Sequence, residues 1–195
     1  KLIPELQQKY PDLTFNWAGE GKEQKESFRD ILQGFAISLM AIYILLAIPL
    51  RSYVQPLVIM AAIPFSILGA ILGHLLLGFN LSILSMFGIV GLAGVAVNDS
   101  LVLVDAANGL KARGLSYFEA AYLAGQNRFR AVTLTSLTTF AGLMPMILEK
   151  SLQAQFLIPM AISLGFGILI ATFITLLLIP CLYVIFCEIK NILNP

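Results

Sequence analysis

The sequence predicts an all-α transmembrane bundle, with five membrane-spanning helices preceded by a short strand and helix remnant of a water-exposed domain. Three observations predict it. The 195 residues are 58% hydrophobic and only 12% charged, about half the charged share of an ordinary soluble domain. Mean hydropathy is +0.88. Five apolar stretches approach or exceed the ~20 residues that cross a hydrocarbon core about 30 Å thick, and within all five the single Asp, Glu, Lys or Arg is Asp99. A soluble helical core would instead show apolar stripes backed by charged faces.

The first stretch, residues 31–50, follows a leader of another kind. In residues 1–30, Leu13, Phe15 and Trp17 alternate with Thr14 and Asn16 as on a half-buried strand. After Gly19 and Gly21 comes a charged helical connector over 22–30. The further spans are 54–77, 81–104, 131–148 and 156–187, followed by a tail over 188–195. Pro49, Pro64, Pro145, Pro159 and Pro180 fall inside spans, where neighbouring helices can cover the freed carbonyls. Between the third and fourth spans, Ser116 and Glu119 form a capping-box pattern, Phe118, Ala121 and Tyr122 share a face, and Gly125 can end a helix. This predicts a short interfacial helix over 116–124.

Charge sets the orientation. Arg51, Lys111, Arg113, Arg128, Arg130 and Lys190 lie in alternate connections, against Lys150 alone on the opposite side. Six basic residues against one put that side, and the C-terminus, in the cytoplasm. The leader then lies outside, so an upstream span is expected to have carried it there; Lys1 in place of Met agrees with a piece of a longer chain. The net charge of +1 gives no basic field to gather nucleic acid. Cys181 and Cys187 fall on different faces of one helix and imply neither disulfide nor metal site.

Asp99 carries the chemical argument. An ionisable group within a span costs roughly 2.5 to 3.5 kcal/mol on insertion scales and faces a bundle interior or a water-filled cavity. It follows Asn98 in a run where Gly88, Gly91 and Gly94 recur every third residue and thin one side of the helix for close approach. Burial favours the neutral form of any carboxylic acid and a nearby cation favours the carboxylate, so a conformational change that alters either couples protonation to motion. The alternative is that Asp99 only fixes helix pairing. Thr133, Thr135, Ser136, Thr138 and Thr139 on the fourth span supply hydroxyls able to bridge a proton through water, or simply to bond their own backbone. Asp105 and Asn108 follow on the Asp99 helix, and Arg128 and Arg130 open the fourth span as cytoplasmic-side anchors. His74 stands near the outer end of the second span without a second ligand, which argues against a metal site. With no phosphate-binding loop, nucleophile elbow or zinc-protease motif, no enzyme chemistry is expected, and the energy source would be a proton gradient rather than a cofactor.

The segments Gly94-Val-Ala-Val-Asn98-Asp99-Ser-Leu-Val-Leu-Val-Asp105, Arg128-Phe-Arg130 and Leu134-Thr-Ser-Leu-Thr-Thr-Phe-Ala-Gly-Leu-Met-Pro145 together resemble the C-terminal membrane half of the resistance-nodulation-division (RND) exporters, over essentially the whole chain. The resemblance implies a proton-driven antiporter of the bacterial inner membrane, usually a homotrimer, that extrudes amphiphilic small molecules such as drugs through a periplasmic adaptor and an outer-membrane channel. Residues 1–30 would end the periplasmic porter domain and connect it to the bundle. The family's adjacent relay aspartates belong to the N-terminal half, the partner this chain lacks. Where drug exporters place lysine and asparagine, this chain has Asn98 and Asp99, which look like the acidic pair of the opposite half. Arg128 falls on a cytoplasmic-end arginine and Thr135 on the threonine linked to the relay. The expected relay set is Asp99, Asn98, Thr135 and Arg128, with Asp105 and Ser136 as secondary candidates. The competing classes are a membrane scaffold or sensor in which Asp99 is structural, and a related lipid exporter or protein-translocation accessory.

Overall fold

The computed structural model describes residues 20–193; the strand expected around Leu13 to Trp17 lies outside them. The described chain is all helical. Helix α1 (Glu20–Leu50) is followed by the short α2 (Gln55–Met60), α3 (Ile63–Leu77), α4 (Ile83–Ala112), α5 (Tyr117–Ile147), a 3-10 turn (Ala154–Phe156) and α6 (Ile158–Leu193). Helices α2 and α3 together form one span, which leaves five rods. Four of the rods are long and apolar enough to cross a membrane; α5 has the length, but Arg130 and its hydroxyls dilute its apolar character.

Sequence explains the boundaries. Helix α1 takes in the charged connector and stops beyond Pro49, where Arg51 turns into the left-handed region at φ 46°. The expected span 54–77 is broken at Ala61 and Ala62, because Pro64 has no N–H for the carbonyl of Met60 and its ring crowds that carbonyl. Helix α3 ends on Gly78 at φ 71°, a left-handed cap that costs glycine little. Ser82 and Ser85 form a reciprocal capping box at the start of α4, and Ser116 and Glu119 do the same for α5.

The separate interfacial helix expected over 116–124 is not formed. Ser116 does start a helix, but it runs without interruption through Gly125 into the span, giving one helix of 31 residues. An interior glycine costs only about 0.5 to 1 kcal/mol relative to alanine. Burial of Ala120, Ala121 and Ala124, the last two in a cluster with Leu103, Val104 and Ala107 of α4, outweighs that cost.

Helix α6 is the hub, packed against α3, α4 and α5, while α1 meets only α2 and α4 to any extent. Small residues permit these approaches. A β-carbon at Gly73 of α3 would fall 2.5 Å from Cβ of Phe166, and one at Gly88 of α4 would fall 2.7 Å from the carbonyl oxygen of Met160. In the other direction, Leu92 of α4 fills the space a side chain at Gly167 would need. Phe140 of α5 meets Phe166 edge to face, with centroids 5.4 Å apart. Helix α1, by contrast, leaves Ile37, Met40, Ile44, Leu45 and Ile48 exposed, an arrangement suited to lipid or to further helices as solvent.

Candidate functional site

Helix α4 presents two faces. Leu92, Ala96, Asp99, Ser100, Leu103 and Ala107 are turned into the bundle, while Phe87, Gly91, Gly94, Asn98, Asp105 and Gly109 form an open stripe. Asn98 and Asp99 are thus separated by one helical step of about 100° and look to different sides. The expectation that Gly88, Gly91, Gly94 and the Asn98-Asp99 pair share one thinned side is corrected here. A repeat of three residues drifts about 60° per step on a 3.6-residue helix, so Gly88 packs on α6 whereas nothing lies within 4 Å of a β-carbon built at Gly94.

Asp99 is 9% exposed. Among the described residues no hydrogen bond or ion pair reaches its carboxyl group, and the ion pairs present, Lys22–Glu26 and Arg29–Asp30, belong to the connector. The next residue, Ser100, is fully buried and donates to the carbonyl of Ala96 at 2.8 Å. Helices α4 and α5 run antiparallel, and a small cavity is lined by Leu103, Val104 and Ala107 of α4 together with Ala121 and Ala124 of α5. Counting from that level at 1.5 Å per residue, Arg128 lies about level with Ser100, and Arg130 about level with Asn98. Both arginines are exposed, as is Asp105.

The hydroxyl cluster of α5 is largely spent on its own backbone. Thr135 is exposed and donates to Ala131 at 2.9 Å, Thr138 to Leu134 at 2.9 Å and Thr139 to Thr135 at 2.8 Å. Ser136 differs. It is buried, bonds the carbonyl of Val132 at 3.0 Å and meets Thr172 Oγ1 of α6 at 2.5 Å, while Thr172 is in reach of the Ile168 carbonyl at 2.8 Å. The structure therefore joins Ser136 to Thr172. It does not bring Thr135 or Arg128 into hydrogen-bond contact with Asp99. Thr133 Oγ1 and Ser163 Oγ are buried without a hydrogen-bond partner among the described residues.

Sequence reasoning missed Thr172 and Thr175, both buried on α6. The signal was available, since they are hydroxyls in an otherwise almost wholly apolar run. It also missed a polar clasp at the start of α2, where the Gln55 and Asn108 amides exchange two bonds of 3.1 and 3.0 Å and Tyr183 donates to Asn108 at 2.9 Å. That clasp ties α2, α4 and α6. At the membrane margins, Glu119 is held below the usual carboxylate range by the Ser116 hydroxyl and backbone N–H. Glu149 is lowered by backbone N–H groups of Ser151 and Lys150. A groove of about 940 Å³ between α5 and α6 is lined by apolar side chains such as Phe118, Phe129, Phe173 and Leu177 and does not include Asp99.

Apolar rods, a hub helix approached through glycines and a lone acid buried within a span mark a polytopic membrane protein of the transporter kind. The profile of the AcrB/AcrD/AcrF family matches residues 3–187, and the chain belongs to that family of RND efflux transporters. Among solved structures it is similar to a heavy metal efflux pump in two crystal forms, at 25% identity over 94% and 93% of this chain, with TM-scores of 0.77 and 0.74. The chain spans about a fifth of the length of those proteins, 19% and 18% respectively.

Proposed function

We propose that this chain is a membrane half of a proton-driven exporter, and that Asp99 with Asn98 is its share of the proton-coupling site. The observation that carries the reading is an aspartate buried in the bundle whose carboxyl group has no hydrogen-bond or ion-pair partner among the described residues, one residue from an amide on the open stripe. A structural aspartate is expected to have its bonds satisfied inside the bundle. An acid that must exchange a proton as its surroundings change is better served by a place its own half leaves uncommitted. Arg128, at about the level of Asp99, and Thr135, about two turns further along α5, would join it only once the N-terminal half closes over the stripe, and Asp105 and Ser136 remain secondary. The proton gradient supplies the energy, so no cofactor is needed.

The cargo proposed is an amphiphilic small molecule, extruded from the bacterial inner membrane by a homotrimer working with a periplasmic adaptor and an outer-membrane channel. The C-terminus lies in the cytoplasm, as the six-to-one division of basic residues requires. A second reading, heavy metal ions as cargo, is favoured by the pumps this chain resembles. The test is Asp99→Asn in the full-length transporter at matched expression, read as efflux of ethidium and, in parallel, of zinc ion. Loss of at least tenfold supports the coupling role, and the cargo that is lost identifies the substrate class. Undiminished efflux would return Asp99 to a structural role and leave a scaffold or sensor.

A further inference from the structure

His74 is a second buried side chain that can carry charge near neutral pH, at 2% exposure, and the coupling site does not use it. It sits in the last turn of α3. Its Nδ1 lies 2.9 Å from the carbonyl oxygen of Ala70 and its Nε2 lies 2.9 Å from Oγ of Ser85. A carbonyl oxygen only accepts, so Nδ1 carries the hydrogen, and in the neutral ring Nε2 is left as an acceptor for the Ser85 hydroxyl. Ser85 is also half of the capping box of α4: its Oγ accepts from the N–H of Ser82 at 3.1 Å, and its own N–H donates to Ser82 Oγ at 3.2 Å. The backbone carbonyl of His74 in turn accepts from Gly78 and Phe79 as α3 closes. One residue therefore holds the end of α3 through its main chain and the beginning of α4 through its ring. Beside it, Gly73 and Gly88 seat the two helices on α6 with no room for a β-carbon.

We propose that His74 is a positioning residue that pins the first turn of α4 to the last turn of α3 and thereby fixes the axial register of the helix carrying Asn98 and Asp99. The inference deepens the coupling reading and rests on it for its consequence. Asp99 lies about 21 Å further along α4, at 1.5 Å rise per residue, and a single continuous helix transmits a shift at one end to the other. Released from His74, the outer end of α4 can slip or fray, and the depth at which Asp99 is buried changes with it.

The variants that test this separate the two ring bonds. In His74→Asn an amide N–H can still reach the carbonyl of Ala70, but no atom reaches Ser85; in His74→Gln the longer side chain places an acceptor within reach of Ser85. All are made in the full-length transporter. Nitrogen-15 NMR of the wild type, with the His74→Asn spectrum as the assignment control, is expected to show a hydrogen on Nδ1; an Nδ1 without one cannot bond the Ala70 carbonyl and overturns the clasp of the ring between the two helices. Hydrogen exchange of the amides of residues 85–88 is expected to rise at least tenfold in His74→Asn and Ser85→Ala, and to stay within threefold of wild type in His74→Gln. Equal exchange in all four proteins also overturns the pin. The consequence is read from the carboxyl carbon of Asp99 followed through a pH titration: His74→Asn should change its apparent proton affinity at least threefold and His74→Gln should restore it. An unchanged affinity overturns the positioning role. An Asp99 that never titrates in the wild type sinks the proton-carrier reading instead, while the ring and exchange results still decide the pin.

Discussion

The contact between Ser136 and Thr172 joins α5 to α6 through two hydroxyls that each also lie within reach of a carbonyl one turn back on their own helix. Thr172→Val keeps the volume and removes the bridge, while Ser136 keeps its bond to Val132. The expected cost is that of one buried hydrogen bond, about 1 kcal/mol, read as a lowered unfolding midpoint in detergent. A drop of several kcal/mol would mean that the pair supports more than its own bond. Glu119 has a lowered folded pKa through Ser116. Its contribution is therefore present above the ordinary carboxylate range and is lost as pH falls through the lowered folded value. Amide exchange over residues 117–121 should accelerate below about pH 4, the model-peptide range of a carboxylate, in the wild type. In Glu119→Gln, which keeps a capping oxygen without titrating, it should not.

Helix α5 shows what the pattern of residues can and cannot disclose about an element. Gly125 has helical neighbours on both sides, and a β-carbon there would meet nothing closer than Cγ of Pro180 at 4.0 Å. Gly125→Ala is thus expected to stabilise by about 0.5 to 1 kcal/mol, whereas at a helix terminus it would destabilise; thermal unfolding in detergent distinguishes the two. The five rods were legible because lipid expels charge from the spans, and that signal survives in the sequence. The continuity of α5 was not, because a glycine followed by Arg128 and Arg130 marks the approach to water without saying whether the helix stops there. Long-range burial of Ala121 and Ala124 against α4 decided it. The burial of Asp99 was legible from its being the lone charge in the spans. Its separation from Asn98 onto another face was not, since a glycine every third residue suggests a side but does not follow the helix. The pairing of Ser136 with Thr172 rather than Thr135 with Asp99 also depended on helix rotation, which composition does not encode.

For the whole molecule, the open stripe of α4 is the surface that matters. Phe87, Gly91, Gly94, Asn98, Asp105 and Gly109 are exposed together, and a helix facing lipid would place Leu, Ile or Phe where Asn98 and Gly94 stand. Small and polar residues are the composition by which membrane helices approach one another, so the stripe is expected to be covered by other helices. Gly94 separates this half from the assembly, because nothing lies within 4 Å of a β-carbon built there. Gly94→Leu in the 195-residue chain should leave the unfolding midpoint in detergent within the range of a surface change, about 0.5 kcal/mol. The same substitution in the full-length transporter inserts a branched side chain where two helices must close, and efflux should fall at least tenfold at matched expression. By the same reasoning the 195-residue chain alone should insert into membranes yet restore no resistance to a pump-deficient cell, since coupling sites in such repeats form between halves. Full efflux in the Gly94→Leu transporter would place the stripe against lipid, and the uncovered Asn98 would then have to be explained without a partner half.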